Sequence, residues 1–123
     1  GHRLSTGQME QIVASQNGVA ECAVIGADDP IKGMIPVAFV VPRAGHEGDA
    51  GLHRRVIDAV RSELGPVAAL KTAFVVQALP KTRSGKILRN LLRNIVNGDD
   101  YTIPPTIEDP GVAAAIAEAV IAR

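Results

Sequence analysis

The chain has 123 residues, of which 46% are hydrophobic and only 2% aromatic, and its 13 basic side chains balance its 13 acidic ones. This describes one small domain with an aliphatic core, and zero net charge supplies no overall field to gather nucleic acid or an anionic membrane. No run approaches the ~18 apolar residues of a membrane span, no signal peptide is visible, and a single cysteine, Cys22, allows no internal disulfide and fits a reducing, cytoplasmic setting.

Gly1 to Gly7 reads as a polar entry loop, and its start at Gly1-His2-Arg3 without a methionine suggests a piece of something longer. Thr6 can cap a short helix whose buried face is Met9, Ile12 and Val13. Val19 to Ile25 is a predicted strand ending at Gly26, with a turn at Asp28-Asp29-Pro30. Cys22 lies within an apolar stretch with no activating base nearby in sequence, the setting of a buried, inert thiol. Ile35 to Val41 is a second strand, apolar almost throughout and so predicted to be covered on both faces, with Pro36 placing its start at an edge or bulge. Pro42 to Gly51 is a loop. Leu52, Val56, Ile57, Val60 and Leu64 define one face of a helix that Gly65 and Pro66 end. Ala73 to Val76 is a third strand. A helix is predicted from about Ser84 to Val96, capped by Ser84 and ended by Asn97-Gly98. Tyr101 to Pro110 is an extended, proline-rich link, and Gly111 to Arg123 a last alanine-rich helix. The order gives a small α/β (α+β) domain, a three-stranded sheet covered by helices.

Charge is uneven along this frame. Lys81, Arg83, Lys86, Arg89 and Arg93 form a basic stretch with no acid, whereas the part after Asn97 is net −4. On the predicted helix Lys86 falls in the first turn, where a cation opposes the macrodipole by roughly 0.3–1 kcal/mol. An arrangement that works against stability points to an anion arriving from outside. Gly85-Lys86 is not a nucleotide phosphate loop, because Pro80 stands where the first glycine belongs and Ile87 where Ser or Thr belongs. Arg89 and Arg93 read as a solvated helix face; without interleaved aromatics the stretch is a poor nucleic-acid groove. His2, His46 and His53 lack metal-ligand spacing, and no metal site is expected.

Three stretches resemble the C-terminal domain of the adenylate-forming enzymes, the group that includes acyl-CoA synthetases, peptide-synthetase adenylation domains and luciferases. They are Gly1 to Thr6 with Met9-Glu10, Val60 to Pro66, and Leu79 to Leu88, the last being similar to the family's final core motif almost letter for letter. Asn94 to Gly98, Tyr101 and Thr106 to Pro110 are similar to the tail of the propionate–CoA ligase branch, with acetate-activating enzymes sharing the Lys86 motif.

The resemblance implies a single lid domain over 1–123, with a post-hinge loop at 1–7 and a tail and helix at 98–123, working beside a large N-terminal adenylation domain that this chain lacks. It implies a reaction in which a short-chain carboxylate and ATP give an acyl-adenylate and pyrophosphate, and coenzyme A then displaces AMP. Lys86 matches the catalytic lysine that bridges carboxylate and α-phosphate. Gly1 would line the pantetheine tunnel, Arg3 would lie near the AMP phosphate on the coenzyme A side, and Arg61 would contact the nucleotide of coenzyme A. Arg83, Ser84 and Gly85 would shape the lysine loop. ATP and coenzyme A are the implied cosubstrates, with Mg2+ held by the N-terminal domain, and a lysine acyltransferase and deacylase acting on Lys86 are implied partners. The domain alone is expected to be inactive. A stand-alone docking module is the alternative of another class, and a small RNA-binding domain a third.

Overall fold

The computed structural model describes residues 6–31, 33–46, 48–65 and 70–121. Its elements are α1 (Thr6–Ala14), β1 (Val19–Asp29), β2 (Gly33–Pro42), α2 (Leu52–Leu64), β3 (Thr72–Val75), α3 (Arg89–Asn97) and α4 (Gly111–Ile121). The strands form one sheet in the order β1-β2-β3.

Strands β1 and β2 make a long antiparallel hairpin from Glu21↔Val41 to Asp29↔Gly33, with an irregularity between Val19 and Glu21. The predicted turn at Asp28-Asp29 is therefore strand. Its backbone is held there by the ladder and by Asn97 Oδ1, which accepts the Asp28 N–H at 2.8 Å. β3 lies parallel to β2, from Val37↔Thr72 to Val40↔Val75. A parallel pair needs a crossover, and α2 supplies it. β3 begins opposite Val37, so Pro36 sits beside β1 alone, where its missing N–H interrupts no second ladder.

Alternation along the strands sends apolar side chains to both faces. Val24, Ala38 and Val40 pack with Met9 and Val13 of α1 and Leu52, Val56 and Val60 of α2. Ile25, Val37, Phe39 and Phe74 pack with Leu91, Leu92 and Ile95 of α3 and Ala113 and Ile116 of α4. Phe39 and Phe74, the chain's two phenylalanines, stack with centroids 5.4 Å apart. The expected covered sheet is thus a three-layer sandwich, with one helix pair on each face. Cys22 is buried, and its thiol is pushed up to about 11 by that burial and by the nearby Glu10. It is an inert core group, as its sequence setting suggests.

One element departs from the sequence reading in a way that matters. The helix expected from Ser84 begins at Arg89, with Leu88 at the N-cap. Ile87 and Leu88 continue the helical spacing of Leu91 and Leu92, but they reach the same core from the end of a hairpin, as partly buried residues packed against it. Lys86 lies ahead of α3, so the macrodipole penalty does not apply and cannot be the reason for the residue. Ser84 caps no helix.

Candidate active site

The segment from Pro80 to Leu88 is a tight hairpin. Lys81 pairs with Ile87. Thr82 N–H donates to the Lys86 carbonyl at 2.9 Å, and Gly85 N–H donates to the Thr82 carbonyl at 2.9 Å. Leu88 N–H closes the base on the Pro80 carbonyl at 2.9 Å. Gly85 has φ +93°, a region that L side chains rarely enter and glycine enters freely. This is the three-residue hairpin with glycine at the left-handed position. The sequence Thr82-Arg83-Ser84-Gly85-Lys86 carries that turn chemistry, which the helical periodicity of the following residues overrode in the sequence reading.

The Thr82 side chain ties the tip together. Its Oγ1 accepts the Lys86 N–H at 3.1 Å and lies 2.9 Å from Ser84 Oγ. Both backbone hydrogen-bonding groups of Lys86 are thus satisfied by Thr82, a residue that the sequence reading left out of the site. A second support was also missed. Segment 104–108 runs alongside the hairpin: Thr82 pairs with Ile107, Arg83 N–H donates to the Thr106 carbonyl at 3.1 Å, and Glu108 N–H donates to the Lys81 carbonyl at 2.8 Å. The proline-rich link therefore lies against the lysine hairpin through an isolated β-bridge at Ile107, which is buried in the core.

Three of the five cations in this stretch have acid partners. Lys81 Nζ bonds to Glu21 of β1. Arg89 grips Glu10 of α1 through Nη2 at 2.7 Å and Nε at 3.3 Å, and Arg93 reaches Asp28 of β1 at 3.4 Å. Glu10 Oε1 also accepts the Val24 N–H at 2.9 Å. Arg89 and Arg93 are exposed, as the expected solvated face requires, and from that face they also tie elements together. Each exposed pair adds only about 0.2–1 kcal/mol, but each also removes a cation from the free surface. Among the described residues, Arg83 and Lys86 have no acidic group within ion-pairing distance, and both are exposed. Within this stretch the fold compensates Lys81, Arg89 and Arg93 and leaves uncompensated the two on the tip. An anion can meet them there without displacing an internal partner.

The other sequence-derived candidates are spread over the domain. Arg83, Ser84, Gly85 and Lys86 share the hairpin. Arg61 is exposed in the last turn of α2, which packs on the opposite sheet face from the core that anchors the hairpin. Gly1 and Arg3 lie outside the described residues, as does Pro66. Among the described residues no group of three or more His, Cys, Asp or Glu is placed to hold a metal ion. A groove of about 480 Å³ opens between the exit of β3 and α4, lined by Val75, Gln77, Asp109, Val112 and Ile116, and none of the candidate residues line it. No helix of the described residues is long and apolar enough to cross a membrane.

The fold recurs in solved acyl-CoA synthetases: that of Brucella canis matches with a TM-score of 0.69 over 76% of this chain and 17% of its own, at 36% identity. The acetoacetyl-CoA synthetase from Streptomyces lividans shares the fold with a TM-score of 0.76 over 98% of this chain and 18% of its own, at 21% identity. The family model of the AMP-binding enzyme C-terminal domain matches residues 8–86, and the chain belongs to that family. Its relatives include the mitochondrial acyl-CoA synthetase short-chain family member B of Dictyostelium discoideum, 49% identical over 117 residues. The acetyl-coenzyme A synthetase of Coprinopsis cinerea is 44% identical over 126 residues. These matches cover 94% and 98% of this chain but only 17% and 19% of those proteins.

Proposed function

We propose that this chain is the C-terminal lid of a short-chain acyl-CoA synthetase, and that Lys86 is its catalytic residue for forming the acyl-adenylate. The observation that carries this reading is the hairpin tip, where an ammonium without an internal counter-ion springs from a residue whose backbone N–H and carbonyl are both hydrogen-bonded to Thr82. The family membership and the two named relatives support it.

The chemistry follows from the charge. When a carboxylate attacks the α-phosphate of ATP, negative charge gathers on the oxygens shared between them. A fixed ammonium in a closed site stabilises that charge more than it stabilises the ground state. Lys86 supplies the ammonium, and Arg83 adds to the positive potential at the same tip. A large N-terminal adenylation domain supplies ATP, the acyl pocket and Mg2+, and the 1–123 unit closes over it. For the thioester step the domain presents its other side, with Gly1 by the pantetheine tunnel, Arg3 near the AMP phosphate and Arg61 at the nucleotide of coenzyme A. An acyl group placed on Lys86 Nζ by a lysine acyltransferase removes the charge and stops adenylation, and a deacylase restores it.

Propionate is the substrate we propose, on the strength of the tail from Asn94 to Pro110. Acetate is the second reading, favoured by the acetyl-coenzyme A synthetase relative. A reducing compartment, the cytoplasm, is the proposed setting, supported by the lone buried Cys22.

The test is Lys86→Ala in the full-length protein, with acetate and propionate compared as substrates. Pyrophosphate release should fall by on the order of 10²- to 10³-fold, the loss expected for one transition-state charge stabiliser. Thioester formation from preformed acyl-adenylate should continue. Undiminished pyrophosphate release would remove Lys86 from the mechanism.

A further inference from the structure

The Lys86 side chain has four rotatable bonds, so the fold can place its ammonium only by fixing the backbone from which it springs. That backbone is fixed by one residue. Thr82 donates its N–H to the Lys86 carbonyl at 2.9 Å, and its Oγ1 accepts the Lys86 N–H at 3.1 Å. Thr82 is itself held from behind by its pairing with Ile107, flanked by the hydrogen bonds of Thr106 and Glu108 to the hairpin. Ile107 is 5% exposed and belongs to the same core as Leu79 and Ile116. Rigidity thus passes from the core through Ile107 and Thr82 to Lys86. The family model ends at residue 86, so the brace lies in sequence beyond it.

We propose that Thr82, backed by the Thr106–Glu108 segment, is a positioning residue for the Lys86 ammonium, and that the tail is a working part of the lysine loop. The inference rests on the proposed role of Lys86. The Thr82–Lys86 side-chain bond is at an exposed position, so its loss exposes no buried donor and weakens the fold little. It does loosen the Lys86 backbone, which keeps only the bond from the Thr82 N–H to its carbonyl. Near-attack geometry is unforgiving, and a displacement of about 1 Å can reduce rate on the order of 10²-fold.

The test uses the full-length enzyme with Thr82→Val, which keeps the β-branched shape and deletes the hydroxyl, together with Thr82→Ser and Lys86→Ala. We expect Thr82→Val to lower kcat for adenylation by roughly 10- to 100-fold, with KM for ATP and carboxylate little changed. Its melting temperature and its thioester half-reaction should match the unsubstituted enzyme, and Thr82→Ser should recover most of the rate. Normal adenylation in Thr82→Val beside a collapsed Lys86→Ala overturns the positioning role alone. Full adenylation in Lys86→Ala overturns the role of Lys86 and this proposal with it. An equal fall of both half-reactions in Thr82→Val denotes general damage and also overturns it. If Thr82→Val does not fold, Glu108→Pro deletes the N–H that donates to Lys81 and is read by the same outcomes.

Discussion

Gly85 offers a sharp test of the hairpin. Its φ is +93°, and a Cβ built on it meets nothing within 4 Å. Gly85→Ala therefore brings no clash, only the strain of a side-chain-bearing residue in left-handed backbone, about 1–2 kcal/mol. Gly98, the αL residue that ends α3, has φ +73° and is equally open around the Cβ position. Gly98→Ala should cost about 1 kcal/mol by the same argument, and it lies away from the tip. The two changes are thus similar in kind and differ in place. A strain of 1–2 kcal/mol corresponds to a population change of about 5- to 30-fold. An exposed hairpin can relieve that strain by opening, which moves Lys86. In the full-length enzyme we expect Gly85→Ala to slow adenylation by up to that factor, with a small change in melting temperature. Gly98→Ala should lower the melting temperature and leave adenylation intact. Pyrophosphate release and thermal melts on both proteins decide it. Equal adenylation rates in the two variants would refute the argument that turn geometry at Gly85 presents the lysine.

Cys22 should make stability fall at alkaline pH. Its folded pKa is raised from 9.0 to about 11 by burial, so the folded state keeps its proton where the unfolded chain has released it. The contribution is complete below pH 9 and is lost as pH rises to 11, on the order of 2–3 kcal/mol in all. Melts of Cys22→Ala across that window should show a shallower decline, and an identical slope would contradict the assignment. The tie between α1 and α3 can be measured as a double-mutant cycle of Glu10→Gln and Arg89→Ala. The charged pair should couple by about 0.5–1 kcal/mol, and glutamine keeps an acceptor for the Val24 N–H. Zero coupling at low salt would show that the arginine is merely nearby.

Much of the frame was legible from the residues alone. The apolar run from Ile35 to Val41 required cover on both faces, because a strand points alternate side chains in opposite directions. The spacing of Leu52, Val56, Ile57 and Val60 defined α2, since a hydrophobic stripe at that period has one stable arrangement. The run from Leu79 to Lys86 marked the loop proposed here as the functional one. Tertiary structure decided the rest. Ile87 and Leu88 fit a helix and a hairpin end equally well by periodicity, and only Gly85 and the hydrogen bonds of Thr82 settle where α3 begins. The fate of each cation was likewise hidden. The acids that answer Lys81, Arg89 and Arg93 stand 60, 79 and 65 residues away, and no local pattern encodes a charge pairing made by chain folding. Hydrophobic spacing is written into neighbouring residues because it reports one element's own geometry. Which ammonium remains without a counter-ion depends on how distant elements come together, and that is settled only in the folded domain.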